Sequence, residues 1–217
     1  MDAAFSCLIP LNLHSLTPKL IYGWSIQPDC MVAIRRVESQ SVKVSLIAIL
    51  TATCIASNYL LIGVVNVKLM DIIVFASGFV FGPVIGASIG VLTWLVYGTL
   101  NPYGFFLPIL VATSVGECLY GVVGGFLGHR GFNKLGGKFG VSVKFGVIGF
   151  LLTFIYDLAT NIVSGLVTGI PVPIALVAGV PFALVHEASN AALFFFGAFP
   201  LISAMNRLLF KGGENGG

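Results

Sequence analysis

The sequence predicts an all-α integral membrane protein: a six-transmembrane-helix bundle with both termini cytoplasmic. Three observations predict it. Of 217 residues, 57% are hydrophobic and 9% charged, against roughly 25% charged in a soluble domain. The apolar residues run in stretches near the ~20 residues that a helix needs to cross a bilayer. The basic residues gather beside those stretches, as cytoplasmic segments do. Arg35, Arg36 and Lys43 precede the first stretch, Arg130, Lys134, Lys138 and Lys144 fill one loop, and Arg207 and Lys211 follow the last.

Taken in order, the spans are 44–64, then 69–100, then 105–128, 145–167 and 174–200. The second stretch is the ambiguous one. As a single helix it would be about 48 Å long at 1.5 Å per residue, too long for a hydrocarbon core of about 30 Å. Phe81-Gly82-Pro83 offers a break, because proline lacks a donor and pushes its predecessor out of the α region. Splitting there gives helices over 69–82 and 84–100. Charge parity agrees: six spans put nine Lys or Arg on one side and only Lys68 on the other, in keeping with the positive-inside bias. Five spans would put the loop from His129 to Lys144 opposite the basic N-terminal flank.

The domain organisation is a leader over 1–43, a membrane domain over 44–205 and a short basic, Gly-rich tail over 206–217. Pro10, Pro18 and Pro28 interrupt the leader and no basic n-region precedes its apolar residues, unlike an ordinary signal peptide. Met31, followed by Arg35-Arg36, reads as an alternative start. Cys7, Cys30, Cys54 and Cys118 show no paired spacing and read as free thiols, neither a disulfide frame nor a metal site. Nucleic-acid binding is excluded, because the basic residues flank spans and leave no basic face.

Polar residues inside the spans are the candidates for function. Glu117, Asp157, His186 and Glu187 lie mid-way along apolar runs. An ionised acid at the bilayer centre costs roughly 2.5–3.5 kcal/mol, so three unpaired ones would cost on the order of 8–10 kcal/mol. Such groups persist by facing one another, a ligand or water. Thr153, Asp157, Thr160, Asn161, Ser164 and Thr168 recur at three- and four-residue intervals and share one helical face. His186, Ser189 and Asn190 share another, with Glu187 turned about 100° away. Thr113, Glu117 and Tyr120 line a third, and Trp94, Tyr97 and Asn101 a fourth that leads into Asn101-Pro102-Tyr103-Gly104 at the outer surface. Pro181, one turn before His186, frees a backbone carbonyl. The plainer alternatives are mutual pairing of the acids and histidine, an interfacial aromatic belt, and hydroxyls bonded to their own helix.

Two runs of small residues repeat every fourth position: Ala48, Ala52 and Ala56, and Gly78, Gly82, Gly86 and Gly90. Small residues at that spacing let helices approach closely, within the bundle or, for the alanines, against another membrane protein. Enzyme motifs fail. Gly131 to Lys138 superficially resembles a phosphate loop, but Phe139 follows where Ser or Thr is needed. There is no HExxH. No catalytic residue, cofactor or metal set is read.

Ala48, Ala52 and Ala56 resemble the alanine motif by which substrate-binding S components of energy-coupling-factor (ECF) transporters dock. Phe79-Val80-Phe81-Gly82-Pro83-Val84-Ile85-Gly86 is similar to the junction between their second and third helices, and six spans with both termini inside also match. The resemblance covers about 44–205. It implies high-affinity capture of a vitamin or related micronutrient at the plasma membrane of a prokaryote. It also implies partnership with a membrane coupling subunit and two ATPase subunits, which fits the missing nucleotide motif. The family's pocket, built from the first outer loop and the outer halves of helices four to six, falls here on Asn66, Lys68, Glu117, Tyr120, Asp157, Asn161, His186 and Asn190. Acids and asparagines beside aromatic rings suit a ring compound with a cationic or hydrogen-bonding edge. The alternative is a stand-alone proton-coupled carrier relaying through Glu117 or Asp157. A membrane enzyme using His186 and Glu187 ranks last.

Overall fold

A computed structural model describes residues 39–210, apart from 101, 103 and 133–136. Among the described residues, seven α-helices and one π-helical turn make up the regular structure, with no strand. They are α1 (Gln40–Leu60), α2 (Met70–Phe81), α3 (Pro83–Leu100), α4 (Leu107–His129), α5 (Lys138–Thr168), α6 (Val172–Leu193), the π turn Phe194–Ala198 and α7 (Phe199–Phe210). Five helical stretches are long and apolar enough to cross a membrane: α1, α3, α4, α5 and the continuous Val172–Arg207. The apolar α2, with 12 residues, is about 18 Å long at 1.5 Å per residue, short of a ~30 Å hydrocarbon core. Met31, most of the leader, Lys134, Asn101, Tyr103 and the Gly-rich end of the tail lie outside the described residues.

Local chemistry sets the boundaries. Ser39 caps α1, its Oγ accepting from the Val42 N–H at 3.3 Å. The break within 69–100 falls at Gly82, whose φ of 100° suits a residue without Cβ, and Pro83 opens α3 where its missing N–H costs nothing. Gly169, left-handed at φ 72°, ends α5 and turns the chain through Ile170 and Pro171 into α6.

Two expectations need correction. Lys138 and Lys144 do not lie in a loop: α5 begins at Lys138, seven residues earlier than expected. At 31 residues it is about 46 Å long and overruns the hydrocarbon core, so its basic first turns reach the interface and carry their own charges there. Nor does the last helix stop at residue 200. The π turn widens the backbone just ahead of Pro200, where an uninterrupted α-helix would clash with the ring, and α7 carries the helix through Arg207.

Glycine holds α2, α3 and α4 together. A Cβ on Gly78 would fall on the Gly121 carbonyl, one on Gly121 on the Gly86–Ala87 backbone, and one on Gly124 on the Phe75 carbonyl. The three helices therefore meet backbone to backbone. Next to this seam, Phe75, Phe79, Phe145 and Phe194 form an aromatic core. Phe75 lies 5.8 Å from Phe145 and 5.1 Å from Phe194 between ring centroids. α5 and α6 form a hairpin against this unit, and α1 packs on α2 and α3 with Ala48, Ala52 and Ala56 on its exposed face.

Candidate functional site

Four helices bring their polar side chains to one place. His186 of α6 bridges two carboxylates: Nδ1 lies 3.0 Å from Asp157 Oδ1 on α5, and Nε2 lies 2.9 Å from Asp71 Oδ2 on α2. An imidazole donates to both sides when it carries both protons. Asn190, one turn on, donates its Nδ2 hydrogens to Asp71 Oδ2 and, at 2.8 Å, to Thr153 Oγ1. The Thr153 hydroxyl also lies 2.8 Å from the Tyr120 hydroxyl of α4 and donates to the Gly149 carbonyl. Asp71, Tyr120, Thr153, Asp157, His186 and Asn190 are all buried. Charged and amide groups so far from water persist because they are tied to one another.

Beside this network the satisfaction is incomplete. Glu117 is 0% exposed, yet neither of its carboxylate oxygens has a hydrogen-bond partner. Asp71 and the Trp94 indole lie within its electrostatic reach without meeting hydrogen-bond geometry. Gly90 gives Glu117 its room, since a Cβ there would stand 3.0 Å from Glu117 Cγ. Asp71 Oδ1, Asn190 Oδ1, Trp94 Nε1 and the Tyr156 hydroxyl are also unpartnered. Unpaired buried polar atoms are uncommon in folded proteins, and several gathered in one place point to a role other than stability.

The aromatic wall is continuous. Trp94 lies 5.7 Å from Tyr97 and 6.5 Å from Tyr156, and Tyr156 lies 5.7 Å from the His186 ring. The Lys68 ammonium sits over two of these faces, 5.1 Å from the Trp94 centroid and 4.9 Å from the Tyr156 centroid. Lys68 also lines a cavity of about 350 Å³ with Asn58, Asn66, Tyr97 and Phe182. Asn66, in the left-handed region at φ 51°, donates its Nδ2 to the Phe182 carbonyl at 3.0 Å, tying the α1–α2 loop to α6 just past Pro181.

A family model described as ECF-type riboflavin transporter, S component, matches residues 39–207. The chain belongs to that family. No curated protein and no solved structure matches it significantly. The S component is thus a multi-pass membrane protein and a substrate-capture subunit of an ECF transporter, in a family of vitamin uptake proteins rather than enzymes.

Of the candidate residues put forward for the site of this S component, Lys68, Trp94, Glu117, Tyr120, Asp157, His186 and Asn190 lie together. Asn66 and Tyr97 are at the cavity. Asn161 is elsewhere: it packs against Gly179 and, with Asp157 and Glu187, lines an outward crevice between α5 and α6 walled by Phe154, Val180 and Leu184. Asn101 lies outside the described residues. In the polar stripe of α5, Thr160 and Thr168 donate to the Tyr156 and Ser164 carbonyls of their own helix. Asp71, Tyr156 and Asn58 escaped the sequence reading. Asp71 is a lone acid at the head of the apolar run 70–81, a place where it reads as a first-turn charge.

Proposed function

We propose that this S component captures a water-soluble, ring-bearing vitamin or related micronutrient at the outer face of a prokaryotic plasma membrane. Riboflavin, the vitamin in the family's description, is the first to test. It would pass its guest to a membrane coupling subunit powered by two ATPases. One observation carries the proposal: a 350 Å³ cavity, within the ~300–1,000 Å³ usual for small-molecule sites, borders through Lys68 on a buried interior of aromatic faces and unpartnered polar atoms. The ring of the guest would lie against Trp94, Tyr97 and Tyr156, and its polar edges would meet Asn58, Asn66, Lys68, Glu117 and the Asp71–His186–Asp157 network.

With six spans and both termini inside, the α1–α2 loop and the cavity would face the exterior, where the guest is captured. The exposed alanines of α1 support docking of the coupling subunit there. The test is a titration of purified protein with riboflavin, read by quenching of flavin fluorescence. Saturation at one flavin per chain is expected, with Trp94→Ala weakening it by about tenfold, the worth of one aromatic contact of about 1.4 kcal/mol. A flat titration together with no small molecule co-purifying would overturn the reading. The bridged Asp71–His186–Asp157 triad would also suit a proton relay in a stand-alone carrier. Proton-driven uptake into liposomes that lack any ATPase would decide for that alternative.

A further inference from the structure

Lys68 is a cation held in an aromatic slot between a cavity and a set of buried acceptors. On one side it lines the 350 Å³ cavity. On the other its charge acts on Asp71 and Glu117. The unpartnered atoms of this interior are mostly acceptors: both Glu117 oxygens, Asp71 Oδ1, Asn190 Oδ1 and Asn58 Oδ1, against the Trp94 N–H and the Tyr156 hydroxyl. Acceptors call for donors. A carbonyl-bearing ring edge would find few donors there, the Trp94 N–H, the Tyr156 hydroxyl and the Lys68 ammonium, and an anionic edge would face two carboxyl groups. A cation flanked by Trp94 and Tyr156 faces is already stabilised there, as the lysine shows.

We propose that Lys68 is an exchangeable stand-in for part of the substrate. The transported compound carries a planar ring with a cationic, N–H-rich edge of the amidine or aminopyrimidine kind. That edge takes the place of the Lys68 ammonium over the Trp94 and Tyr156 faces and donates to Glu117 and Asp71, while the Lys68 ammonium moves out into the cavity. The inference rests on reading this chamber as the substrate site, and it specifies the guest beyond a ring-bearing vitamin.

The test uses three probes of one shape and different edge: benzamidine, benzamide and benzoate. The chain has two tryptophans, Trp24 and Trp94, so in a Trp24→Phe background the indole emission reports the slot. Benzamidine is expected to bind about tenfold more tightly than benzamide, the worth of one charge-assisted hydrogen bond, with benzoate weakest. Lys68→Met, which removes the competing cation and keeps the stem, should tighten benzamidine severalfold. Glu117→Gln should erase its advantage over benzamide, with thermal unfolding of both variants showing that they are folded. Equal binding of benzamide, tightest binding of benzoate, weaker benzamidine binding in Lys68→Met, or no saturable response to any probe would each overturn the proposal. Riboflavin is titrated in the same preparation. If it fails while the benzamidine preference holds, riboflavin is lost as the vitamin and the inference stands; if it saturates without that preference, capture stands and the inference falls.

Discussion

His186 and Glu117 meet the interior in opposite ways. The histidine has a carboxylate on each ring nitrogen, whereas the glutamate has no hydrogen-bond partner. His186→Ala would leave Asp71 and Asp157 buried without their bridge. Removing one partner from a buried ion pair costs about 3–5 kcal/mol. Thermal unfolding in detergent should therefore show a large fall in midpoint, partly recovered when Asp157→Asn is added; an unchanged midpoint in His186→Ala would refute the bridge. Tyr120→Phe, which loses only the hydroxyl contact to Thr153, should cost about 1 kcal/mol by the same assay. Glu117, Asp157 and His186 were legible because an ionisable residue deep in an apolar run has few reasons to be there. Asp71 was not, because an acid one residue inside a helix start reads as a favourable first-turn charge. Only the tertiary packing of α2 carries it to α6. Tyr156 was hidden for a related reason: a lone tyrosine in a span carries no period that separates pocket from packing.

At the scale of elements, the glycine seam makes a prediction with a sign. Gly121→Ala would drive a methyl into the Gly86–Ala87 backbone, and neither helix can yield without separating α3 from α4. Loss of the monodisperse folded peak on size exclusion is expected. Gly140→Ala, in the first turn of α5 with nothing within 4 Å of its Cβ position, should instead raise stability by about 0.5–1 kcal/mol, because alanine loses less backbone entropy on folding. A tolerated Gly121→Ala would contradict the packing. The break between α2 and α3 was readable at Phe81-Gly82-Pro83, since proline and glycine act locally. The start of α5 at Lys138 and the passage of the last helix through Pro200 were not. A hydropathy run marks where lipid begins, while a helix continues into the interface wherever its backbone bonds are met.

For the whole molecule, the exposed alanine face of α1 and the interior site lie apart, and so they should fail separately. Ala52→Trp should leave ligand affinity of the isolated S component within about twofold, as expected for distant independent sites, while abolishing co-purification with the coupling subunit. Retained assembly would remove α1 as the docking face. Topology is tested by Lys138→Cys: a membrane-impermeant maleimide should label it only from the cytoplasmic side, and labelling from outside would overturn six spans. The most direct measurement of the central claim is native mass spectrometry of the protein purified from its membrane. One ring-bearing small molecule per chain is expected, carried by the wild type and lost from Glu117→Leu. A bare wild-type chain that also takes up no vitamin on incubation would contradict it.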